Sequence, residues 1–524
     1  MRLHSLPLFA ASLLIMSGAY AQGPGRGGRG GGAQTAQAET GASMPASDRF
    51  PAPPAVETTS KTEHEITIRG QKIPYTATAG TLVLKKDDGK PWASMFYVAY
   101  MRSDVQDHSK RPITFSFNGG PGSASIWLHM GALGPKRVQM TAEGDQPAPP
   151  YRLADNDDTA LEFTDLVFID PVSTGYSRPA PGVNPAEFHS FEGDLQSVAA
   201  FIRLYLVRAE RWDSPKFLAG ESYGTTRASA LSQYLLDNDG IYLNGITLIS
   251  SVLNFETISF NAGNDLPYAL YLPSYTATAW YHKKLPKDLQ ADLEKAVGES
   301  RRFAANEYNV ALMKGDKLAA QERAQVVKQL ARLTGLSEEY IEESNLRIPI
   351  QRFTKELLRK EGKTVGRYDS RIEGADLDSA GERPEYDPSY ASVQGPFTAV
   401  FNEYVRKDLK YESDLTYEAL TDKVRPWSYS RFENRYLNTA EMMRQAMTQN
   451  PNLKVIIANG YYDLATPFFA TEYTVNHIGL QPSLSSHIGL TYCEAGHMLY
   501  TRKSCLDNLH KSMADFYQKA APTP

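Results

Sequence analysis

The apolar run Phe217-Leu218-Ala219 passes directly into Gly220-Glu221-Ser222-Tyr223-Gly224 and then into Thr225-Thr226-Arg227-Ala228-Ser229-Ala230-Leu231. A strand that ends in G-x-S-x-G and turns at once into a helix forms a nucleophile elbow, in which a strained turn lifts the serine hydroxyl above the sheet. Glycines flank the serine because strand and helix crowd each other there, and a side chain at either position would collide with neighbouring backbone. Ser222 is therefore the candidate nucleophile. Taken alone, the five residues fit a structural turn equally well, so the assignment depends on what the rest of the chain supplies.

At 524 residues the chain has length for one large domain with an insertion, or for two to three ordinary domains. Charged residues at 22% and hydrophobic residues at 42% are globular values, far from a disordered chain or a membrane bundle. A net charge of -5 leaves no basic footprint, which disfavours nucleic acid as a partner. At the N-terminus Arg2 precedes an apolar core from Leu6 to Met16, and Ala19-Tyr20-Ala21 forms a small-x-small cleavage site before Gln22. Residues 1–21 are thus expected to be a signal peptide and the mature protein periplasmic or extracellular, the alternative being an uncut signal anchor. No later segment approaches the roughly 20 apolar residues of a membrane span. The only cysteines are Cys493 and Cys505; after export a single disulfide between them is expected, with two free thiols as the alternative.

Residues 22–60 are rich in Gly, Ala, Pro, Gln and Thr and read as a flexible leader without catalytic residues. Alternating β-rich runs at 65–68, 75–84 and 93–101 predict antiparallel strands along one edge of a mixed sheet. Strands at 112–117 and 166–169, a helix over 191–208 and the elbow strand then follow in the order of a βαβ unit, which predicts a parallel sheet continued by residues 246–250. From 254 to 425 the texture changes to amphipathic helices, such as 285–297 and 317–333, expected to form a cap over the strand ends or a separate helical domain. Strands return at 454–458 and 488–492, and a final helix covers 505–519. The expected fold is an α/β-hydrolase: core residues 61–253 and 426–524, interrupted by the helical insertion.

An activated serine needs a base, and the base needs an orienting group; in this fold they follow the order Ser, Asp or Glu, His. Asp463 lies in the loop after the 454–458 strand, and His497 in the loop after 488–492, both at the carboxyl end of the sheet where α/β sites form. Asp463 could instead cap the following helix, and His477, His487 and His510 lack the strand-then-glycine context of His497. The backbone amide of Tyr223 is one candidate oxyanion donor, and the glycine-rich loop Asn118-Gly119-Gly120-Pro121-Gly122 a source of another. That loop lacks the Lys-Ser/Thr ending of a phosphate-binding loop. No HExxH or Cys/His ligand spacing is present, so neither metal nor cofactor is expected.

These blocks resemble the signatures of the serine carboxypeptidases, peptidase family S10: Asn118 to Ser123, Gly220 to Gly224, Asn459-Gly460 through Asp463, and Ala495-Gly496-His497-Met498. Pro171 to Ser177 is similar to a further block, with Ser173 where the family usually has glycine, and Gly366-Arg367-Tyr368-Asp369-Ser370-Arg371 resembles a stretch of the bacterial branch. The resemblance implies Ser222 as nucleophile, His497 as general base and acid, and Asp463 as its orienter. It further implies Gly120 and Tyr223 amides as the oxyanion hole, with Asn118 and Glu221 binding the free C-terminal carboxylate of a peptide. A glutamate beside that carboxylate requires that one of the two be protonated. Two positions depart from the pattern: Ser116 and Ala132 stand where the family usually has a tryptophan and a glutamate of the carboxylate-binding network. Arg227 either assists in their place or lies on the surface of the elbow helix. The expected activity is removal of C-terminal residues from peptides or proteins. The alternatives are an esterase or acyltransferase on the same triad, and a non-catalytic binding protein.

Overall fold

The computed structural model describes residues 53–521; the signal segment and most of the leader expected from the sequence lie outside the described residues. The chain opens with an antiparallel meander, β1 (Thr59–Ile68), β2 (Gln71–Lys85) and β3 (Pro91–Arg102). Along β2, Ile73, Tyr75, Ala77 and Ala79 alternate into the core, the period expected of a strand with one wet face. Thr58 donates its amide to the Thr81 hydroxyl and Arg208 pairs with Glu57, so ordered chain begins ahead of the boundary drawn at residue 60. The strands that follow are short and wholly buried: β4 (Ile113–Phe117) and β5 (Asp165–Ile169). Next come β6 (Lys216–Ser222), β7 (Gly245–Ser251), β8 (Lys454–Gly460) and β9 (Ile488–Cys493).

The spatial order is β1-β2-β3-β5-β4-β6-β7-β8-β9, with a two-residue strand, Arg178–Pro179, paired to β3. Pairing is antiparallel from β1 to β5 and parallel from β5 to β9. From β4 the chain steps to β5 on one side and returns to β6 on the other, which opens a crevice at the carboxyl ends of β4 and β6. Such reversals are where open α/β sheets place their sites.

Helices cover both faces. α1 (Phe191–Arg208), α2 (Tyr223–Asp239) and, later, α7 (Ala440–Gln449) pack on one side, where Leu218, Leu248 and Ile457 of the sheet meet Leu195, Leu231 and Met443. The insertion contributes α3 (Leu266–Tyr281), α4 (Leu293–Phe303) and α5 (Ala320–Thr334), which share a core of their own around Tyr271, Tyr275, Leu330 and Phe353. The helix expected over 285–297 is broken because the Asp292 carboxylate caps the Lys295 amide and starts α4 anew. α6 (Pro388–Lys407) also falls in the expected cap, yet its Phe397, Phe401 and Tyr404 join Phe96, Phe168 and Phe217 in the core on the second face of the sheet. The last helices are α8 (Phe468–Asn476) and α9 (Lys503–Ala520), the latter closing that second face through Leu506, Met513 and Phe516.

Candidate active site

β6 runs straight into α2, and Ser222 at the junction has φ 59° and ψ −130°. A serine at positive φ is strained, a conformation that persists only where the surroundings dictate it. The packing is close enough to do so. A β-carbon on Gly224 would lie 2.6 Å from the Phe117 carbonyl oxygen, and one on Gly119 only 2.3 Å from the Tyr223 nitrogen. The glycine loop after β4 is thereby held against the first amides of α2. The Thr225 hydroxyl donates to the Ser222 carbonyl oxygen at 2.6 Å, while the Ser222 side chain keeps some exposure. Gly120 is exposed, and the Tyr223 amide lies in the first turn of α2, at its electropositive N-terminus.

Arg227, one turn into α2, is not on the surface: it is buried. Its guanidinium forms two bonds to Asp194 of α1, at 2.8 and 3.0 Å, and donates to the Asn118 carbonyl oxygen at 2.7 Å. It therefore ties α1, α2 and the glycine loop together. Signals for this burial were weak, because Arg and Asp lie 33 residues apart in sequence.

After β8, the Asp463 carboxylate accepts the amides of Ala465 at 2.7 Å and Thr466 at 2.9 Å, together with the Thr466 hydroxyl at 2.7 Å. It thus organises the turn leading to α8, as a capping residue would, and also accepts from His497 Nδ1 at 2.8 Å. With Nδ1 so engaged, Nε2 is the imidazole nitrogen left for other partners. The loop of His497 is pinned at both backbone ends: its amide donates to the Tyr368 carbonyl at 2.6 Å, and its carbonyl accepts the Ser250 hydroxyl at 2.6 Å. Ser251, the next residue of β7, pairs with Ser222 across the sheet. Burial works against the charged imidazolium, but the charge and hydrogen bond of Asp463, and the charge of Glu221, outweigh it and raise His497 above its ordinary 6.5. Among the described residues the Ser222 hydroxyl makes no hydrogen bond to His497, whose Nδ1 is given to Asp463.

Glu221 points away from solvent and accepts the Tyr500 hydroxyl at 2.5 Å. Burial pushes its carboxyl up to about 7, although the charge of His497 and the Tyr500 hydrogen bond favour the anion. Asn118 accepts the Leu128 amide at 3.0 Å through Oδ1, and its buried Nδ2 has no acceptor at hydrogen-bond distance. An orphaned donor beside a protonatable carboxyl is suited to a carboxylate arriving from outside. Ala132, packed in a π-helical turn, has no side-chain donor, and Ser116 is wholly buried in β4 with its hydroxyl unpartnered. Ser173 has φ 73°, which accounts for the glycine usual at the corresponding family position, and its hydroxyl bonds His189 at 2.9 Å.

Tyr500 is the residue that sequence reasoning missed. It sits three positions after His497 inside the loop closed by the Cys493–Cys505 disulfide, whose Cα atoms are 5.9 Å apart. That spacing within one short ring was the available signal. Tyr368 was also unassigned; its ring packs on that of His497 at 5.2 Å between centroids. Two surface cavities of about 280 and 730 Å³ lie elsewhere, the larger lined by α4 and α5. Among the described residues no cluster of His, Cys, Asp or Glu has the form of a metal site, and no helix is long and apolar enough to cross a membrane.

Comparison with known proteins bears on this geometry. No curated protein sequence matches the chain. Among solved structures it is similar to Kex1(delta)p, a prohormone-processing carboxypeptidase from Saccharomyces cerevisiae, with a TM-score of 0.53 and 15% identity over 84% of this chain and 91% of that one. A soluble variant of monoglyceride lipase from the same yeast matches at a TM-score of 0.34 and 10% identity, over 84% of this chain and 94% of the other. The first of these likenesses establishes the α/β-hydrolase fold. The sequence profile of the serine carboxypeptidases matches residues 70–489, a span that takes in Asn118, Glu221, Ser222 and Asp463 and ends just before His497. On that match over most of its length, the chain belongs to the serine carboxypeptidase family.

Proposed function

We propose that this protein is an exported enzyme that removes C-terminal residues from peptides through an acyl-enzyme on Ser222. The observation that carries the reading is the Asp463–His497 hydrogen bond at 2.8 Å beside an elbow serine held at φ 59°. His497 Nε2 takes the proton of Ser222 as its oxygen attacks the last peptide carbonyl. Asp463 fixes the tautomer and stabilises the imidazolium. The Gly120 and Tyr223 amides receive the oxyanion, where one donor is typically worth about 3 kcal/mol. His497 then returns the proton to the leaving amine, and water releases the shortened peptide by the same steps in reverse roles. Asn118 and the protonated Glu221 hold the free carboxylate of the leaving residue. The disulfide supports export, since such bonds persist outside the reducing cytosol.

Ser116 and Ala132 favour a second reading, ester hydrolysis or acyl transfer on the same triad, because the tryptophan and glutamate usual at those positions are absent. One comparison separates the two. A blocked dipeptide with a free C-terminal acid should be cleaved in preference to its amide, and a fluorophosphonate should label wild type but not Ser222→Ala. Rapid ester cleavage with no preference for the acid would discard the peptidase reading in favour of the second.

A further inference from the structure

The insertion meets the loop of His497 through the segment Gly366 to Arg371. The Arg367 carbonyl accepts the amide of Leu464, the residue after Asp463, at 3.0 Å, and the next carbonyl, Tyr368, accepts the amide of His497 at 2.6 Å. A β-carbon on Gly496 would sit 2.4 Å from that same Tyr368 oxygen, so the segment and the His497 loop are in backbone contact. The Tyr368 ring touches two charged groups of interest. It packs on the His497 imidazole at 5.2 Å, and the Arg367 guanidinium carbon lies 5.2 Å from its centre.

Arg367 differs from the other arginines around the site. Arg227 is held by Asp194, and Arg371 by Asp369 at 2.6 Å, whereas Arg367 makes no side-chain ion pair among the described residues. Its nearest acids are already engaged. Asp463 is filled by Ala465, Thr466 and His497, and Asp387 caps α6 through the amides of Ser389 and Tyr390 while also accepting the Arg367 amide. Arg367 and Tyr368 are surrounded by protein yet retain solvent-accessible surface, as side chains in a recess do. Ser222 is also partly accessible. Burial opposes the Arg367 charge but its neighbours outweigh it, so the guanidinium stays charged while no carboxylate takes up its fork of donors. The planar fork of arginine matches a carboxylate through two parallel bonds.

We propose that Arg367 is the anion-binding residue of this recess and pairs with a carboxylate of the substrate, supplying the positive charge that neither Asn118 nor Glu221 provides. The carboxylate is either the free C-terminus or an acidic side chain of the peptide. This rests on the peptidase reading for the choice of substrate, but its test does not need peptide cleavage. N-acetyl-phenylalanine and its amide are compared as competitive inhibitors of ester hydrolysis in wild type, Arg367→Lys and Arg367→Gln. The preference for the acid over the amide should fall about tenfold to a hundredfold in Arg367→Gln, the range for a lost charge-assisted bond, and by less in Arg367→Lys. In a parallel arm, blocked glutamyl and glutaminyl p-nitrophenyl esters report recognition of an acidic side chain. A loss of selectivity in the first arm assigns the terminal carboxylate and a loss in the second assigns the side chain. Unchanged selectivity in both arms overturns the proposal. If Arg367→Gln does not fold, as judged by fluorophosphonate labelling, Arg367→Lys alone decides: a partial loss supports the pairing and no loss refutes it. Failure of wild type to cleave free-acid peptides, with selective inhibition by the acid intact, would remove the peptidase reading and leave the anion site standing.

Discussion

Replacing Glu221 with glutamine isolates the energetic consequence of a carboxyl buried beside the catalytic histidine. Its side chain is 3% exposed, and burial lifts its pKa from the ordinary 4.5 to about 7. A carboxyl raised on folding binds its proton more tightly in the native state, so the stability it contributes is complete below pH 4.5. That contribution is lost as the pH rises through about 7. At about 1.4 kcal/mol per pH unit, the interval amounts to about 3 kcal/mol. Urea denaturation of wild type and Glu221→Gln between pH 4 and 8 should therefore show the variant gaining about 3 kcal/mol on wild type as the pH rises. Because glutamine cannot ionise, the difference reports Glu221 and largely cancels other buried acids such as Asp170. The kinetic counterpart follows from the same sign. In wild type, preference for a free-acid peptide over its amide should decline above about pH 7, where a second negative charge meets the substrate carboxylate, and in the variant it should not. The acid limb of ester hydrolysis should also move to lower pH in the variant, since the Glu221 charge helps to raise His497. A stability difference that stays flat from pH 4 to 8 would refute the reasoning, because Glu221 would then be ionised, or solvated, in the same way in folded and unfolded chains.

Three further outcomes follow from the geometry. Replacing both Cys493 and Cys505 with alanine should cost about 3 kcal/mol in thermal or urea unfolding. It should lower kcat more than it raises KM, because the opened ring carries His497 and Tyr500. Gly224→Ala should cost about 1–3 kcal/mol and slow fluorophosphonate labelling of Ser222, since its β-carbon must displace the Phe117 carbonyl from 2.6 Å. Asp194→Asn should cost about 3–5 kcal/mol in denaturation midpoints by leaving Arg227 charged and unpaired in the core.

Much of the framework was legible in the sequence because its determinants are local. Glycines at 220 and 224 announce a turn, and continuous apolar runs such as Ile113–Phe117 announce buried parallel strands. Asp463 and His497, which the structure brings within hydrogen-bond distance, were singled out because each sits in a loop just past a recognisable strand. The obscure parts are those decided by partners distant in the chain. Arg227 looks like any helix arginine until Asp194 is placed beside it, and Tyr500 like a core tyrosine until its hydroxyl meets Glu221, 279 residues earlier. α6 was assigned to the cap by its position between other helices, although its apolar stripe, Val393, Phe397, Val400 and Tyr404, faces the sheet core. The broken helix near residue 292 depended on one carboxylate capping an amide, a competition that periodicity does not weigh.

The segment from Gly366 to Arg371 gives the insertion a status that a mere covering would not have. The amides of Leu464 and His497 both find their acceptors there, on Arg367 and Tyr368. An insertion of this kind is not an interchangeable part. Exchanging it wholesale for the cap of another hydrolase would leave two backbone donors beside the proposed triad without acceptors, whatever the new cap did for substrate preference. Engineering of specificity therefore has to work around these few residues, trading helices above them while keeping the strut on which His497 rests.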